Sequence, residues 1–187
     1  MSDFKNYFHY LKGRGKLGLA YRWFYLYPKL NKHLVGRTLD IGCGIGDMVR
    51  FRPQTEGVDI NPETVNWCRA QGLPVYLMEP HRLPFDNKSF DSVLLDNVLE
   101  HIMDPEPILL ETHRILKDGG RLIIGVPGRK GFAADPDHKI FYDQAKLSAV
   151  VGLKGFQLMH FFATPARSIF FDINLRQYCV YGAFKKA

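Results

Sequence analysis

Three glycines and two aspartates set close together carry the first chemistry in this chain. In Thr38-Leu39-Asp40-Ile41-Gly42-Cys43-Gly44-Ile45-Gly46-Asp47 an apolar run meets an acid and then glycines at alternate positions. Glycine at that spacing lets the backbone turn sharply and lets a ligand approach main-chain N–H groups. A dinucleotide loop asks for G-x-G-x-x-G. Gly42 and Gly44 meet it, but Asp47 stands at the third position and would set a negative charge against a pyrophosphate. Gly46 arrives one residue early. The loop therefore points to a nucleotide-like ligand with no phosphate at that place. Asp59, in Gly57-Val58-Asp59-Ile60-Asn61, closes the next apolar run. A carboxylate there can accept hydrogen bonds from both ribose hydroxyls of such a ligand.

Two histidines are candidates for proton transfer. His101 follows Glu100 just after an apolar run, and His138 lies in Asp135-Pro136-Asp137-His138-Lys139. An imidazole titrates close to neutrality and can take a proton from a hydroxyl. Gly128, Gly131 and Pro136 suggest a shaped lid around His138. Cys43, Cys68 and Cys179 are scattered and form neither a zinc pattern nor a disulfide framework, which reads as a reducing cytoplasm. Cys43 reads as a small side chain where a larger one would not fit.

These residues need a scaffold that brings loop ends together. The spacing predicts strands over 37–41, 57–60, 75–78, 90–96 and 121–126, with two more over 156–162 and 177–184. Helices are expected over 46–51, 62–71, 105–116 and 142–151. Asn61 is placed as N-cap, Pro62 in the first turn, and Gly119 just past the third helix. The 164–175 stretch is apolar and unassigned. Strand–helix alternation implies a mostly parallel sheet with helices on both faces, and ligands in such sheets sit outside the carboxyl ends of the strands.

Five motifs in order resemble the class I S-adenosylmethionine-dependent methyltransferases, of the small-molecule type with LPF…SFD and VLEH signatures. They are LDIGCGIGD at 39–47, GVDIN at 57–61, LPFDNKSFD at 83–91, NVLEHI at 97–102 and RILKDGGRLIIGVP at 114–127. The resemblance implies a Rossmann-like, doubly wound, mostly parallel seven-stranded sheet with an antiparallel last strand. It implies S-adenosylmethionine as cofactor. By position, Gly42 and Gly44 would approach its methionine part and ribose, Asp40 would orient that part, and Asp59 would hold the ribose. Ile60 would pack on the adenine. Glu79 stands where the family usually has an Asp contacting the adenine amino group. Pro80 departs from the pattern, because the family commonly offers a backbone N–H there and proline has none; either His81 would be the substitute donor or the contact would be lost. Asp96 and Asn97 would line the pocket near the sulfonium.

Methyl transfer from a sulfonium is an in-line displacement, so the protein's part is alignment and, where the acceptor must lose a proton, a base. His138 and His101 are the candidates. The scattered acids suggest no magnesium site, and metal-independent transfer is expected. No Pro-Cys or Asn-Pro-Pro-Tyr-like motif supports methylation of DNA bases. The expected acceptor is a small molecule, glycan or lipid-linked metabolite, with O-methylation favoured. The rivals are an NAD-dependent oxidoreductase, opposed by Asp47, and a non-catalytic cofactor-binding module, kept open by Pro80.

The net charge of +6 sits in residues 1–37, where Lys5, Lys12, Arg14, Lys16, Arg22, Lys29, Lys32 and Arg37 face Asp3 alone. Nine Phe, Tyr and Trp residues share that segment. Residues 1–36 read as a basic aromatic cap segment and 37–187 as the cofactor-binding domain. The cap could cover the pocket and recruit an anionic or lipid-linked acceptor, touch a membrane surface through the Tyr21–Tyr27 cluster, or pack on the sheet with its lysines solvated. The cluster is too short and too crowded to favour nucleic acid. No apolar run approaches a membrane span and the start of the chain lacks a signal-peptide core, so a cytoplasmic place is expected. The sequence does not settle the oligomeric state.

Overall fold

A computed structural model describes residues 2–187. Seven strands form one sheet: β1 (Thr38–Ile41), β2 (Thr55–Asp59), β3 (Val75–Leu77), β4 (Phe90–Asp96), β5 (Leu116–Pro127), β6 (Phe156–Thr164) and β7 (Cys179–Lys186). Their order is β3-β2-β1-β4-β5-β7-β6. The first five pair in parallel, while β7 runs antiparallel to both its neighbours. The chain therefore has the expected Rossmann-like α/β fold. The order reverses between β1 and β4, so the ends of those two strands form the cleft where such sheets bind ligands.

The helices that carry the crossovers are α4 (Asp47–Phe51), α5 (Pro62–Arg69), α6 (Glu106–Ile115) and α8 (Gln144–Gly152). Asn61 caps α5 as expected, its side-chain oxygen accepting from the Glu63 N–H. On one face Val93, Leu95, Leu122 and Ile124 pack with Ile108, Leu109 and Leu147 of the helices; on the other, Leu94 and Ile123 meet Leu26 and Leu30. Cover on both faces explains the apolar runs Val93-Leu94-Leu95 in β4 and Leu122-Ile123-Ile124 in β5.

The structure differs from the sequence reading at one glycine and adds two short helices. Gly119 does not end α6, which stops at Ile115; Gly119 has φ +71 inside the long β5, within a register irregularity against β4. The carbonyls at the end of α6 are instead met by Lys186 Nζ, 2.7 Å from His113 O and 2.8 Å from Leu116 O. The unassigned 164–175 stretch contains α9 (Ile169–Asn174), capped by Ser168. The loop read as a lid contains α7 (Arg129–Ala133), and its glycines sit in close packing. A Cβ on Gly128 would lie 2.4 Å from Tyr178 Cδ1, and one on Gly131 would lie 2.6 Å from Arg176 O.

Residues before β1 form α1 (Ser2–Lys12), α2 (Lys16–Tyr21), a π turn (Arg22–Leu26) and α3 (Tyr27–Asn31). The π turn has a local cause: Pro28 offers no N–H to the preceding turn, and the Tyr27 N–H reaches Arg22 O instead. Among the described residues no helix is long and apolar enough to cross a membrane.

Candidate functional site

The glycine turn is built by hydrogen bonds from β2. The N–H groups of Gly42 and Cys43 both reach Val58 O, at 2.8 and 3.1 Å, and Gly42, Gly44 and Gly46 have φ of +71, +53 and +76. Only glycine takes those angles without strain. Cys43 occupies tight space, since a Cβ on Gly57 would come within 2.6 Å of its Sγ.

A cavity of about 290 Å³ opens at the switch point. It brings together Asp40, Gly42, Gly44, Asp96, Asn97, His101 and His138 from the sequence-derived candidates. Asp96 accepts from Tyr181 Oη at 2.8 Å and from Asn97 Nδ2 at 3.0 Å, with Arg22 Nη1 3.9 Å from its second oxygen. Gly125 makes room for this arrangement: a Cβ there would lie 2.2 Å from Tyr181 Cε1 and 2.8 Å from Asp96 Oδ1. Asn97 holds a left-handed φ of +57, an uncommon conformation fixed here by its N–H bond to Gly125 O.

Negative charge dominates the β1 side. Burial, and then the charges of Asp96, Asp59 and Asp47, push the Asp40 carboxyl well above its ordinary range. Asp47 is paired with Arg14 at 3.1 Å and approached by Arg50 at 3.6 Å. This is a setting for a ligand that carries fixed positive charge near Asp40 and Asp96 and a carboxylate within reach of Arg14 and Arg22.

Asp59 lies outside the lining of the cavity. Its two oxygens accept from the Gly44 and Asn61 N–H groups, each at 2.8 Å, and these bonds partly offset the upward push of burial on its carboxyl. Helix α1 crosses this end. Asn61 Nδ2 donates to Phe4 O at 2.9 Å, Phe8 packs edge-on against Trp67, and a Cβ on Gly44 would meet Leu11 Cδ1 at 3.0 Å. Ile60, Glu79, Pro80 and His81 are exposed; His81 lines a separate surface groove with Arg82 and Phe85. The structure thus gathers the β1 and β4 candidates and leaves the β2–β3 candidates on an edge beside α1.

Behind the lining histidines lies Glu100, a residue that the sequence reading did not assign. Glu100 is fully buried with neither carboxylate oxygen hydrogen-bonded, and burial lifts its carboxyl to about 8. His138 Nε2 lies 3.8 Å from Glu100 Oε1, and the two histidine rings are 4.7 Å apart. Burial, and then His138, lower the pKa of His101. The segment bearing His138 is latched to Glu100, whose carbonyl accepts from Lys139 and Ile140 N–H at 2.7 and 3.1 Å. Tyr7, Tyr10, Leu11, Arg14 and Arg22 bring the N-terminal segment into the lining.

Residues 39–124 match a family model described as a methyltransferase domain. An uncharacterised protein of Methanocaldococcus jannaschii is 36% identical over 104 residues, 55% of this chain and 51% of that protein. A ubiquinone biosynthesis O-methyltransferase of Xanthomonas oryzae is 34% identical over 104 residues, 50% of this chain and 44% of the relative. The matched stretch thus spans about half or less of these relatives' length. A solved S-adenosylmethionine-dependent methyltransferase of Thermotoga maritima covers all of both chains with a TM-score of 0.78 at 22% identity. One from Archaeoglobus fulgidus covers 92% of this chain with a TM-score of 0.68 at 18% identity. The fold is that of these enzymes.

Proposed function

We propose that this protein transfers a methyl group from S-adenosylmethionine to a hydroxyl of a small-molecule, glycan or lipid-linked acceptor. The observation that carries this reading is the crowding of Asp40 and Asp96 with Asp47 and Asp59 at the switch-point turn, where Asp40 is buried and only partly compensated by Arg22. A cofactor bearing both an ammonium and a sulfonium relieves that crowding, and a phosphate would aggravate it. The likeness to O-methyltransferases and methyltransferase structures supports the same reading.

S-adenosylmethionine supplies an electrophilic methyl carbon on a positively charged sulfur. The residues that would hold it are Asp40 and Asp96 on the cationic groups, Gly42 and Gly44 through their close backbone, and Asp59 on the ribose. Asn97 would line the methyl-transfer end. Ile60 and Glu79 would meet the adenine, with His81 as donor in place of the missing Pro80 N–H. Leu11 and Tyr7 of α1 would then pack over the adenosine side.

The acceptor oxygen forms a bond to the methyl carbon, the carbon–sulfur bond breaks with its electron pair left on sulfur, and the hydroxyl proton leaves to a base. His138 and His101 are the groups we assign to handle that hydroxyl. Both line the same cavity as Asp96. A lipid-linked acceptor is supported by exposed apolar side chains around α2 and α9, among them Leu17, Phe24, Ile169 and Phe170. The two regions adjoin through Tyr25, whose hydroxyl bonds Pro165 O.

The test is titration calorimetry with S-adenosylmethionine and with NAD, followed by a labelled-methyl transfer screen against extracted metabolites and lipids. Binding of S-adenosylmethionine together with a labelled product supports the reading. Binding of NAD alone reverses it in favour of a dehydrogenase.

A further inference from the structure

We propose that Glu100, His101 and His138 form a binding site for one divalent transition-metal ion. One ligand atom from each residue lies within 4.8 Å of the others. The His138 Nε2 to Glu100 Oε1 distance of 3.8 Å is too long for a hydrogen bond. Metal bonds of roughly 2.0–2.2 Å place neighbouring donor atoms about 3–3.5 Å apart, so a small contraction completes the site.

Three features of the surroundings are those of a built site. Glu100 is 0% exposed, and both its oxygens lack a hydrogen-bond partner. An unpartnered buried carboxylate is costly, and a cation beside it removes that cost. His138 Nδ1 lies 2.9 Å from Phe132 O, and donating to that carbonyl leaves the Nε2 lone pair turned toward Glu100. Backbone carbonyls commonly orient metal-binding histidines through the nitrogen that does not bind metal. Finally, the Lys139 and Ile140 bonds to Glu100 O fix the two ligand-bearing segments to one another.

Two imidazoles and a carboxylate suit zinc, manganese, iron or cobalt, whereas magnesium and calcium prefer all-oxygen sites. Asp135 Oδ2, 3.9 Å from His138 Nε2, is the nearest fourth donor. Because His101 and His138 line the cavity, an ion held by them would border the space proposed for the acceptor. A hydroxyl held there ionises more readily. That role rests on the methyl-transfer reading above; the binding site does not.

The test uses the full chain, stripped with EDTA and titrated with Zn2+ by calorimetry and with Co2+ by visible absorption. One ion per chain is expected. Glu100→Gln and His138→Asn should each weaken binding by about tenfold or more. The exposed His160, stacked on His33, marks the competing surface pair, and His160→Ala should leave binding unchanged. Near-UV circular dichroism establishes that each variant is folded; if Glu100→Gln is not, His138→Asn carries the test. Absence of stoichiometric binding overturns the proposal, as does binding that survives both site substitutions or is lost with His160→Ala. Metal binding without methyl transfer would support the site and count against the methyl-transfer reading alone.

Discussion

Replacing Glu100 by Gln should stabilise the metal-free protein, and increasingly so as the pH rises. The carboxyl sits near pH 8 in the folded chain because burial penalises its charged form. An unfolded glutamate titrates at about 4.3. Below that pH both states carry the proton, and this group adds nothing to the pH dependence. Between the two values the unfolded chain releases the proton and the folded chain keeps it, so stability falls with rising pH. Above pH 8 the accumulated penalty reaches the order of a few kcal/mol, at about 1.4 kcal/mol for each pH unit separating the two values. Glutamine has nearly the same shape and no charge, so the penalty disappears. The assay is urea unfolding in EDTA at pH 5, 7 and 9. The stability difference between variant and wild type should grow from pH 5 to pH 9, around any pH-independent offset from the buried amide. Parallel curves across that range would refute the assignment of Glu100 as a buried carboxylate without a partner.

Other outcomes follow from the same geometry. Asp59→Asn should weaken S-adenosylmethionine binding by about tenfold or more, since bonds to a charged acceptor contribute roughly 1.5–3 kcal/mol; unchanged calorimetry would remove Asp59 from the site. Tyr181→Phe deletes the donor 2.8 Å from Asp96 while keeping the ring stacked on Phe162, and should cost about 2 kcal/mol in urea unfolding. Lys186→Met strips a donor from two carbonyls at the end of α6 and should lower stability by about 1–3 kcal/mol without changing cofactor affinity. An altered affinity in that variant would show that the α6 end communicates with the site.

The parts of the fold legible in the sequence are those governed by local rules. Asn61 and Pro62 mark the start of α5 through capping chemistry, and the unbroken apolar runs of β4 and β5 mark strands covered on both faces. Alternate glycines locate the turn because its backbone angles are open to little else. The rest depends on contacts distant in the chain. Gly119 resembles a helix stop, but the carbonyls at the end of α6 are met by Lys186 near the far terminus. Gly128 and Gly131 suggest a lid, and the contacts from α9 and the residues after it that press on them are not local. The pairing of Glu100 and His101 with His138 is made by the return of the loop after β5, a path that sequence spacing does not encode. The placement of α1 beside Asp59 is likewise tertiary, held by Asn61 and Trp67.

The most direct measurement of the central claim is titration calorimetry of the full chain with S-adenosylmethionine, repeated on Asp40→Asn. One cofactor per chain is predicted for the wild type, with affinity reduced in the variant because an amide cannot supply the negative charge that a cationic ligand favours at this carboxyl. No binding of S-adenosylmethionine, or equal binding by both proteins, would contradict the account of this cavity.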